Sequence, residues 1–271
     1  MALLLAGAFT MIVPFLWAIS TSLKTEDAIY ANPTDLVPRD PKTRQISIHW
    51  ENYLKVWEKI PLRSYYMVSI IAAVAVTIGR VATSSLAAYA FARLEFPGRD
   101  KLFLLYLATM MIPAEVTMIP IFVLISKMHW MNTYYALILP GVFTAFGTFM
   151  LRQFFMTIPR GLEDAARVDG CSRLGIWWRV IIPLSVPALV TLTIFTFLGS
   201  WNDFMWPLIV THTKDMFPIP VGLAQMQSDY QRELTLLMAA SVQVLVPVFI
   251  LFFACQKRVT EGIVMSGFGK F

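Results

Sequence analysis

The sequence predicts an all-α, polytopic membrane protein that forms a single permease-like domain over residues 1–271. Hydrophobic residues make up 57% of the chain and charged residues only 14%, whereas a soluble domain carries about 25% charged residues. Long apolar segments recur along the chain, and an ordered polar segment interrupts them at 157–183. Together these observations predict six transmembrane helices, with a cytoplasmic helix–turn–helix loop between the fourth and the fifth.

Six apolar segments reach the length of about 20 residues that a helix needs to cross a bilayer. They run approximately over residues 2–22, 66–92, 102–126, 134–156, 184–210 and 236–256. The first segment lacks a basic leading region and a small-residue cleavage site, so we expect a retained span rather than a secretory signal.

Basic residues predict the orientation, because short cytoplasmic loops are enriched in lysine and arginine. With the amino terminus inside, the connections after the second and fourth spans are rich in arginine. The later outer loops contain only Lys127, Lys214 and Arg232. We therefore predict that both termini and the polar segment 157–183 are cytoplasmic.

The long first outer loop, over residues 24–63, contains several prolines and cannot be one continuous helix. Within it, residues 49–57 have Trp50, Leu54 and Trp57 at helical spacing. This pattern favours an amphipathic helix in the membrane interface, where tryptophan is enriched. A docking surface for an external partner is the alternative, and the two are compatible.

The polar segment carries local signals for two short helices. Residues 160–168 have a helical pattern, and Gly170 suits a left-handed C-terminal cap. Ser172 is a plausible N-cap for a second helix that stops before Pro183. A loop between spans can fold into a hairpin without further function. The adjacent Ala165 and Ala166, however, form a low ridge that another protein can approach closely, which favours a docking surface.

Three charged residues fall in or near the predicted spans: Arg80, Glu115 and Asp203. A charge at a helix centre costs about 2.5–3.5 kcal/mol on insertion scales, so each should face protein or water. Arg80 lies among small residues that allow close packing, and we expect it to anchor two helices by a hydrogen bond. Glu115 follows Pro113, where structural and gating roles both remain open.

A candidate substrate path consists of Trp201, Asn202 and Asp203 in the fifth span, with Trp206 close behind. An aromatic face stacks on the apolar face of a sugar ring, while amide and carboxylate groups bond its hydroxyls. An aromatic belt near the outer interface explains the same residues. The residues alone favour neither interpretation.

Several function classes lack their required residues. The two cysteines and three histidines have no disulfide or metal spacing, and no nucleophile–base set is evident. No phosphate-binding Gly-x-x-x-x-Gly-Lys-Ser/Thr occurs, so any ATP that drives the protein is bound by another chain. The net charge of +5 is not concentrated in a basic, aromatic-rich cluster that would indicate nucleic acid.

A gradient-driven carrier is the main alternative from another class. It would need paired ionisable residues near the bilayer midplane, for which Arg80 and Asp203 are the obvious candidates. No inverted repeat is apparent. Vanadate-sensitive, ATP-dependent uptake would separate an importer from such a carrier, whose uptake an ionophore abolishes.

The polar segment resembles the EAA loop of inner-membrane permeases in bacterial ATP-driven importers. That signature reads Glu-Ala-Ala, Asp-Gly-Ala and Leu-Pro, and this chain has Asp164-Ala165-Ala166, Asp169-Gly170-Cys171 and Ile182-Pro183. Asp164 stands for the usual Glu and Cys171 for the usual Ala. Other fragments are similar to the carbohydrate-uptake branch, of the maltose and glycerol-phosphate type: Ser20 to Lys24, Asn52-Tyr53, Tyr89 to Leu94, Met111-Ile112-Pro113 and Trp201-Asn202-Asp203.

The resemblance implies a sugar-importing permease of the bacterial inner membrane that works by alternating access and is not an enzyme. It assigns ATPase coupling to Glu163, Asp164, Ala165, Ala166, Asp169 and Gly170. The implied partners are a second permease, two ATPase subunits that bind ATP and Mg²⁺, an extracytoplasmic solute-binding protein, a sugar and membrane lipid. No cofactor, metal or nucleic acid is expected on this chain. Family members usually have a basic residue before the first span, so its absence indicates a short or truncated amino terminus.

Overall fold

The protein is described by a computed structural model that covers residues 1–229 and 233–267. Over these residues it is built mostly of helices, and it contains no strand beyond an isolated bridge between Arg39 and Ile46. The predicted helical class is confirmed. The predicted location of the carboxyl terminus concerns residues 268–271, which lie outside the described residues.

The α-helices of the described residues follow in chain order. They are α1 (Ala2–Ser22), α2 (Glu26–Ala31), α3 (Glu51–Lys59), α4 (Leu62–Arg93), α5 (Arg99–Ala108), α6 (Ala114–Lys127), α7 (Tyr134–Ile138), α8 (Ala145–Thr157), α9 (Arg160–Val168), α10 (Arg173–Ile176), α11 (Ile182–Leu184), α12 (Val186–Trp201), α13 (Met205–Val210), α14 (Ile219–Asp229) and α15 (Leu234–Gly267). Two compact units result: Met1–Val68 with His212–Ile250, and Ser69–Thr211 with the chain from Leu251.

In the first unit, α1 ends on a buried polar cluster. Asn52 Nδ2 donates to the carbonyl oxygens of Ser22 and Lys24, each at 2.9 Å. Ser22 Oγ lies 2.7 Å from the Tyr53 hydroxyl oxygen. Lys24 Nζ donates to the Asp35 carbonyl oxygen, and burial lowers the pKa of this lysine. Because the last carbonyls of a helix have no partner within the helix, these side chains complete the end of α1.

The helix predicted in the first outer loop is confirmed as α3, and its exposed face is apolar. Trp50 is 65% exposed, Leu54 70% and Trp57 47%, whereas Asn52 and Val56 are buried. An outward apolar face is typical of a helix at a membrane interface. The interfacial location itself stays a prediction.

Glu26 completes the start of α15. Its Oε1 accepts hydrogen bonds from the Thr235 backbone nitrogen at 2.8 Å and from Thr235 Oγ1 at 2.5 Å. A carboxylate is favourable at a helix amino terminus, where backbone N–H groups lack internal partners. Trp57 Nε1 also donates to Gln243 Oε1 at 2.6 Å, which ties α3 to the same helix.

In the second unit, small residues bring α4 close to the bent segment α7–α8. A Cβ at Gly79 would lie 2.9 Å from Val142 Cγ2, and one at Gly147 would lie 2.6 Å from Ser84 Oγ. Arg80 Nε donates to the Gly141 carbonyl oxygen at 2.7 Å. The predicted role of Arg80 as an interhelical hydrogen-bond anchor is confirmed.

Among the described residues, two helices are by themselves long and apolar enough to cross a membrane: Leu62–Arg93 and Leu234–Ala254. Bent pairs that reach this length only together are Arg99–Met111 with Ala114–Lys127 at 96°, Tyr134–Gly141 with Ala145–Thr157 at 41°, and Arg173–Leu184 with Val186–Trp201 at 82°. Each pair is either a broken span or a re-entrant segment. The count of six spans therefore stays a prediction.

Two predicted spans are interrupted rather than continuous. The segment predicted at 102–126 breaks at Ile112, before Pro113, whose ring disfavours a helical conformation in the residue that precedes it. The segment predicted at 184–210 ends as a helix at Trp201 and resumes at Met205. Both breaks lie in the second unit.

The second helix of the polar segment does not stop before Pro183, so this part of the prediction is wrong. The chain stays helical through a π-helical stretch, Trp177–Ile181, and α11, and ends at Leu184. Proline breaks an α-helix because it lacks the N–H group that bonds to the preceding turn. The wider π turn just before Pro183 changes the bonding register, so the helix bends at Ser185 instead of ending earlier.

Gly222 in the first unit leaves no room for a side chain. A Cβ there would lie 2.3 Å from Cδ2 of Tyr65, a ring that is 1% exposed. Overpacking of this kind costs about 1–3 kcal/mol, so Gly222→Ala should lower the unfolding temperature of the detergent-solubilised protein. Gly7→Ala is the control, since nothing lies within 4 Å of its added Cβ. Equal unfolding temperatures would contradict the packing at Gly222.

Candidate functional site

The polar segment 157–183, named here the Ala-Ala loop, turns sharply at Gly170. Cys171 N–H donates to the Ala166 carbonyl oxygen at 2.9 Å, and Gly170 N–H donates to that of Arg167 at 3.0 Å. This pair of bonds is a Schellman motif. Gly170 has a φ of +81°, which confirms the predicted left-handed cap, and Asp169 is the C-cap residue before it. A residue with a Cβ adopts this φ only at a cost.

Ser172 begins the second helix of the loop. Its Oγ accepts a hydrogen bond from the Gly175 N–H at 3.2 Å, which confirms the predicted N-cap. Ile176 and Ile181 follow, and their side chains are 1% and 0% exposed within a buried apolar cluster. The turn is therefore held both by its own hydrogen bonds and by packing beneath it.

Neighbouring residues of α9 face opposite sides. Glu163 is buried and Ala166, one turn later, packs against the same apolar cluster. Asp164 and Ala165 are exposed, and the Asp164 carboxylate accepts from Arg167 Nη1 at 3.2 Å within the helix. Because residues three apart share a helix face, one alanine points outward and the other inward.

A buried ion pair joins α9 to α4. Arg93 Nε lies 2.8 Å from Glu163 Oε1, and the two side chains are 4% and 3% exposed. The two atoms are close but not aligned as a hydrogen bond, so charge attraction dominates the contact. Arg93 Nη2 donates to the carbonyl oxygens of Phe155 and Ile158, the latter at 2.6 Å. One guanidinium thus connects the end of α4, the end of α8 and the start of α9.

An open, polar cleft of about 620 Å³ lies beside this ion pair. Arg160, Arg167 and Arg173 line it together with the acidic side chains of Glu163 and Asp164. Within the described part of the chain, no group of three His, Cys, Asp or Glu side chains is placed to hold a metal ion. The charges of the cleft therefore serve ion pairing or contact with another molecule.

Apolar side chains surround the turn and face outward. Leu162 is 46% exposed, Val168 88%, Leu174 66% and Trp178 63%. Contiguous exposed apolar surface of this kind commonly marks a site of interaction with another protein or with a membrane. These four residues are named the apolar rim of the loop.

The predicted substrate-path residues are separated by the fold. Trp201 is buried, 2% exposed, and stacks on Phe197 with ring centroids 5.6 Å apart. Asn202 is exposed, and its Nδ2 donates to the Leu198 carbonyl oxygen at 2.9 Å. Asp203 lines a second cavity in this unit, whereas the other two predicted residues do not.

Sequence reasoning assigned no function to Arg93. The residue lies at the end of a long apolar helix, where an arginine is ordinarily explained by the preference for basic residues in cytoplasmic loops. A usable signal was present in α9, where Glu163 shares a face with Ala166 and so points inward. An inward carboxylate requires a buried cation, and Arg93 is the cation that meets it.

Comparisons with known proteins give one consistent relationship. A model of the binding-protein-dependent transport system inner membrane component family matches residues 81–263. The chain is 34% identical over 261 residues to the arabinooligosaccharides transport system permease protein AraQ of Halalkalibacterium halodurans, covering 96% of this chain and 92% of that protein. It is 29% identical over 272 residues to the sn-glycerol-3-phosphate transport system permease protein UgpE of Yersinia pestis, covering 97% and 94%.

The fold also matches a solved structure. A chain of a bacterial ABC transporter involved in the import of the acidic polysaccharide alginate aligns with a TM-score of 0.83 and 23% identity, covering 94% of this chain and 93% of that chain. A second match, from the alginate transporter in complex with its pentasaccharide-bound periplasmic protein, has a TM-score of 0.59 and 14% identity, covering 78% and 84%. At these identities, the matches establish the fold alone.

Glu163→Gln should destabilise the protein strongly, because it leaves the Arg93 charge buried without its partner. Loss of one partner of a buried pair costs about 3–5 kcal/mol. Asp164→Asn is the matched control, since an exposed pair contributes about 0–1 kcal/mol. Unfolding of the solubilised protein measures both.

Replacement of both partners tests whether the two charges act together. Arg93→Met combined with Glu163→Leu removes both charges, so the double variant should be more stable than either single variant. Strictly additive losses would contradict a coupled pair.

Proposed function

The chain belongs to the family of inner-membrane components of binding-protein-dependent transport systems, and on this basis we propose that it is a permease subunit of an ATP-driven sugar importer. A second, homologous permease completes the translocation path with it. Two cytoplasmic ATPase subunits and an extracytoplasmic solute-binding protein complete the transporter. The sugar class is inferred from relatives whose transport systems handle arabinooligosaccharides and sn-glycerol 3-phosphate.

The observation that carries the proposal is the apolar rim on a rigid turn. Val168 is 88% exposed directly before a turn whose backbone is closed by two hydrogen bonds. Exposed apolar side chains lose water favourably when a partner covers them. We infer that a groove of an ATPase subunit covers the rim and the outward Ala165.

The remaining predicted coupling residues act through this turn. Gly170 makes the left-handed turn, and Asp169 caps α9. Glu163 transmits displacement of the loop into α4 and α8 through Arg93. Asp164 orders the outer face of α9 by its pair with Arg167. ATP and Mg²⁺ are bound by the partner ATPases, since this sequence contains no phosphate-binding loop.

The proposed topology has six spans, with both termini and the Ala-Ala loop in the cytoplasm. Each bent helix pair then counts as one broken span, which a membrane tolerates where protein or water satisfies the freed backbone groups. The loop between α1 and α4 faces outward and meets the solute-binding protein. Alternating access follows when closure of the ATPases moves the Ala-Ala loop and reorients the attached spans.

A first experiment tests the assembly and the energy source together. The tagged chain, purified from its native membranes in mild detergent, should bring a second permease and an ATPase subunit with it. In proteoliposomes, uptake of a labelled sugar such as arabinotriose should require ATP and the binding protein, and vanadate should inhibit it. A chain that purifies alone and whose uptake only an ionophore abolishes would instead be a gradient-driven carrier.

The two alanines of the loop should respond differently to enlargement. Ala165 is exposed, so Ala165→Leu should leave the unfolding temperature unchanged but reduce recovery of the ATPase subunit and sugar uptake. Ala166 packs inward, so Ala166→Leu should lower the unfolding temperature, because overpacking costs about 1–3 kcal/mol. Equal ATPase recovery for Ala165→Leu and the unsubstituted protein would contradict docking at this face.

A further inference from the structure

A cavity of about 420 Å³ in the second unit lies where three helical segments are interrupted. Its lining includes Ala114 and Thr117, just after the break before α6, and Pro140 in the 3₁₀ turn between α7 and α8. Ser200 and Asp203 lie at the end of α12 and in the break that follows it. The volume is within the range of about 300–1,000 Å³ that is usual for ligand pockets.

Interrupted helices in a membrane protein need a reason, because each break frees backbone polar groups. Such groups are tolerated where they border protein or a water-filled cavity, and transporters bind solutes at breaks of this kind. Here the breaks converge on one cavity rather than being scattered over the unit. Their convergence indicates a hydrated binding site rather than unrelated kinks.

Two opposite charges line the cavity without touching. Arg80 is held in position by the bond from its Nε to the Gly141 carbonyl oxygen at 2.7 Å. Asp203 is on another wall, and no nitrogen of Arg80 lies within 4.0 Å of its carboxylate. Separated charges in a partly buried site are stabilised by polar groups placed between them. Water or the hydroxyl groups of a ligand fill that role, since a hydroxyl both donates and accepts.

An aromatic wall completes the site. Trp206 lines the cavity, and its Nε1 donates to the Ala136 carbonyl oxygen at 2.9 Å, which restricts the orientation of the indole ring. A positioned aromatic surface beside a few polar groups is the usual composition of a small-molecule site. The apolar face of a sugar ring fits such a wall.

We propose that this cavity is a subsite for a neutral sugar, in which Trp206 packs on the ring, Arg80 donates to its hydroxyl oxygens and Asp203 accepts from its hydroxyl groups. This inference rests on the proposed function and adds the charge class of the substrate. The two charges of the site balance, so an uncharged ligand loses nothing on entry. An acidic sugar would bring its charge near Asp203, which disfavours it.

The test uses labelling of a cysteine in the assembled transporter, with Cys171 and Cys255 replaced by serine. Ser200→Cys puts the thiol on the cavity lining, and Asn202→Cys, two residues later but not among the lining residues, is the matched control. Arabinotriose serves as the neutral probe and sn-glycerol 3-phosphate as the acidic probe. A probe at about ten times its dissociation constant should slow labelling by about tenfold, because labelling requires an empty site.

The expected result is that arabinotriose slows labelling at Ser200→Cys but not at Asn202→Cys, and that the acidic probe slows neither. Adding Asp203→Asn should let the acidic probe slow labelling at Ser200→Cys. An unreactive Ser200→Cys, equal effects of both probes, or no effect of either probe would overturn the proposal. Labelling does not depend on ATP-driven uptake. Uptake without this protection would refute the subsite alone, and protection without uptake would refute the importer alone.

Discussion

The buried ion pair between Arg93 and Glu163 is the contact on which the rest of the second unit depends. Removing two charges from water costs several kcal/mol per ion, and only close partners offset that cost. Here Glu163 supplies the opposite charge, and carbonyl groups at the end of α8 supply further acceptors. These carbonyls carry the partial negative charge of a helix carboxyl terminus, which also favours a cation. The pair thus holds three helix ends together.

A loop held in this way can transmit displacement. The Schellman turn at Gly170 fixes the backbone between α9 and α10, and the isoleucines that follow anchor the loop in the buried cluster. A flexible loop would absorb movement of a bound partner, whereas a closed turn on a buried pair moves with its supporting helices. The exposed rim and the buried pair are therefore two faces of one mechanical element, with opposite requirements for water.

The second unit combines close packing with open breaks. Glycines at positions 79 and 147 bring α4 against α8 and the segment before it, which leaves space for Arg80 to reach a backbone carbonyl. The breaks near Pro113 and after Trp201 instead open a cavity with polar walls. Rigid packing on one side of Arg80 and a cavity on the other suit a protein that must hold its frame while it passes a solute.

Local patterns in the sequence were sufficient for most of the elements. The ends of α9, the cap at Gly170 and the cap at Ser172 were predicted to the residue, because each depends on bonds within a few positions of the chain. Apolar length likewise predicted α1 and α4. The second helix of the loop was mispredicted at Pro183, because a π turn compensates for the missing N–H group.

Only the tertiary structure decided which of two adjacent acids is buried and which alanine faces outward. It also decided that Trp201 is covered while Asp203 lines a cavity. Those outcomes depend on contacts between residues about 60 or more positions apart, such as Arg93 with Glu163. No short-range pattern encodes contacts of that kind.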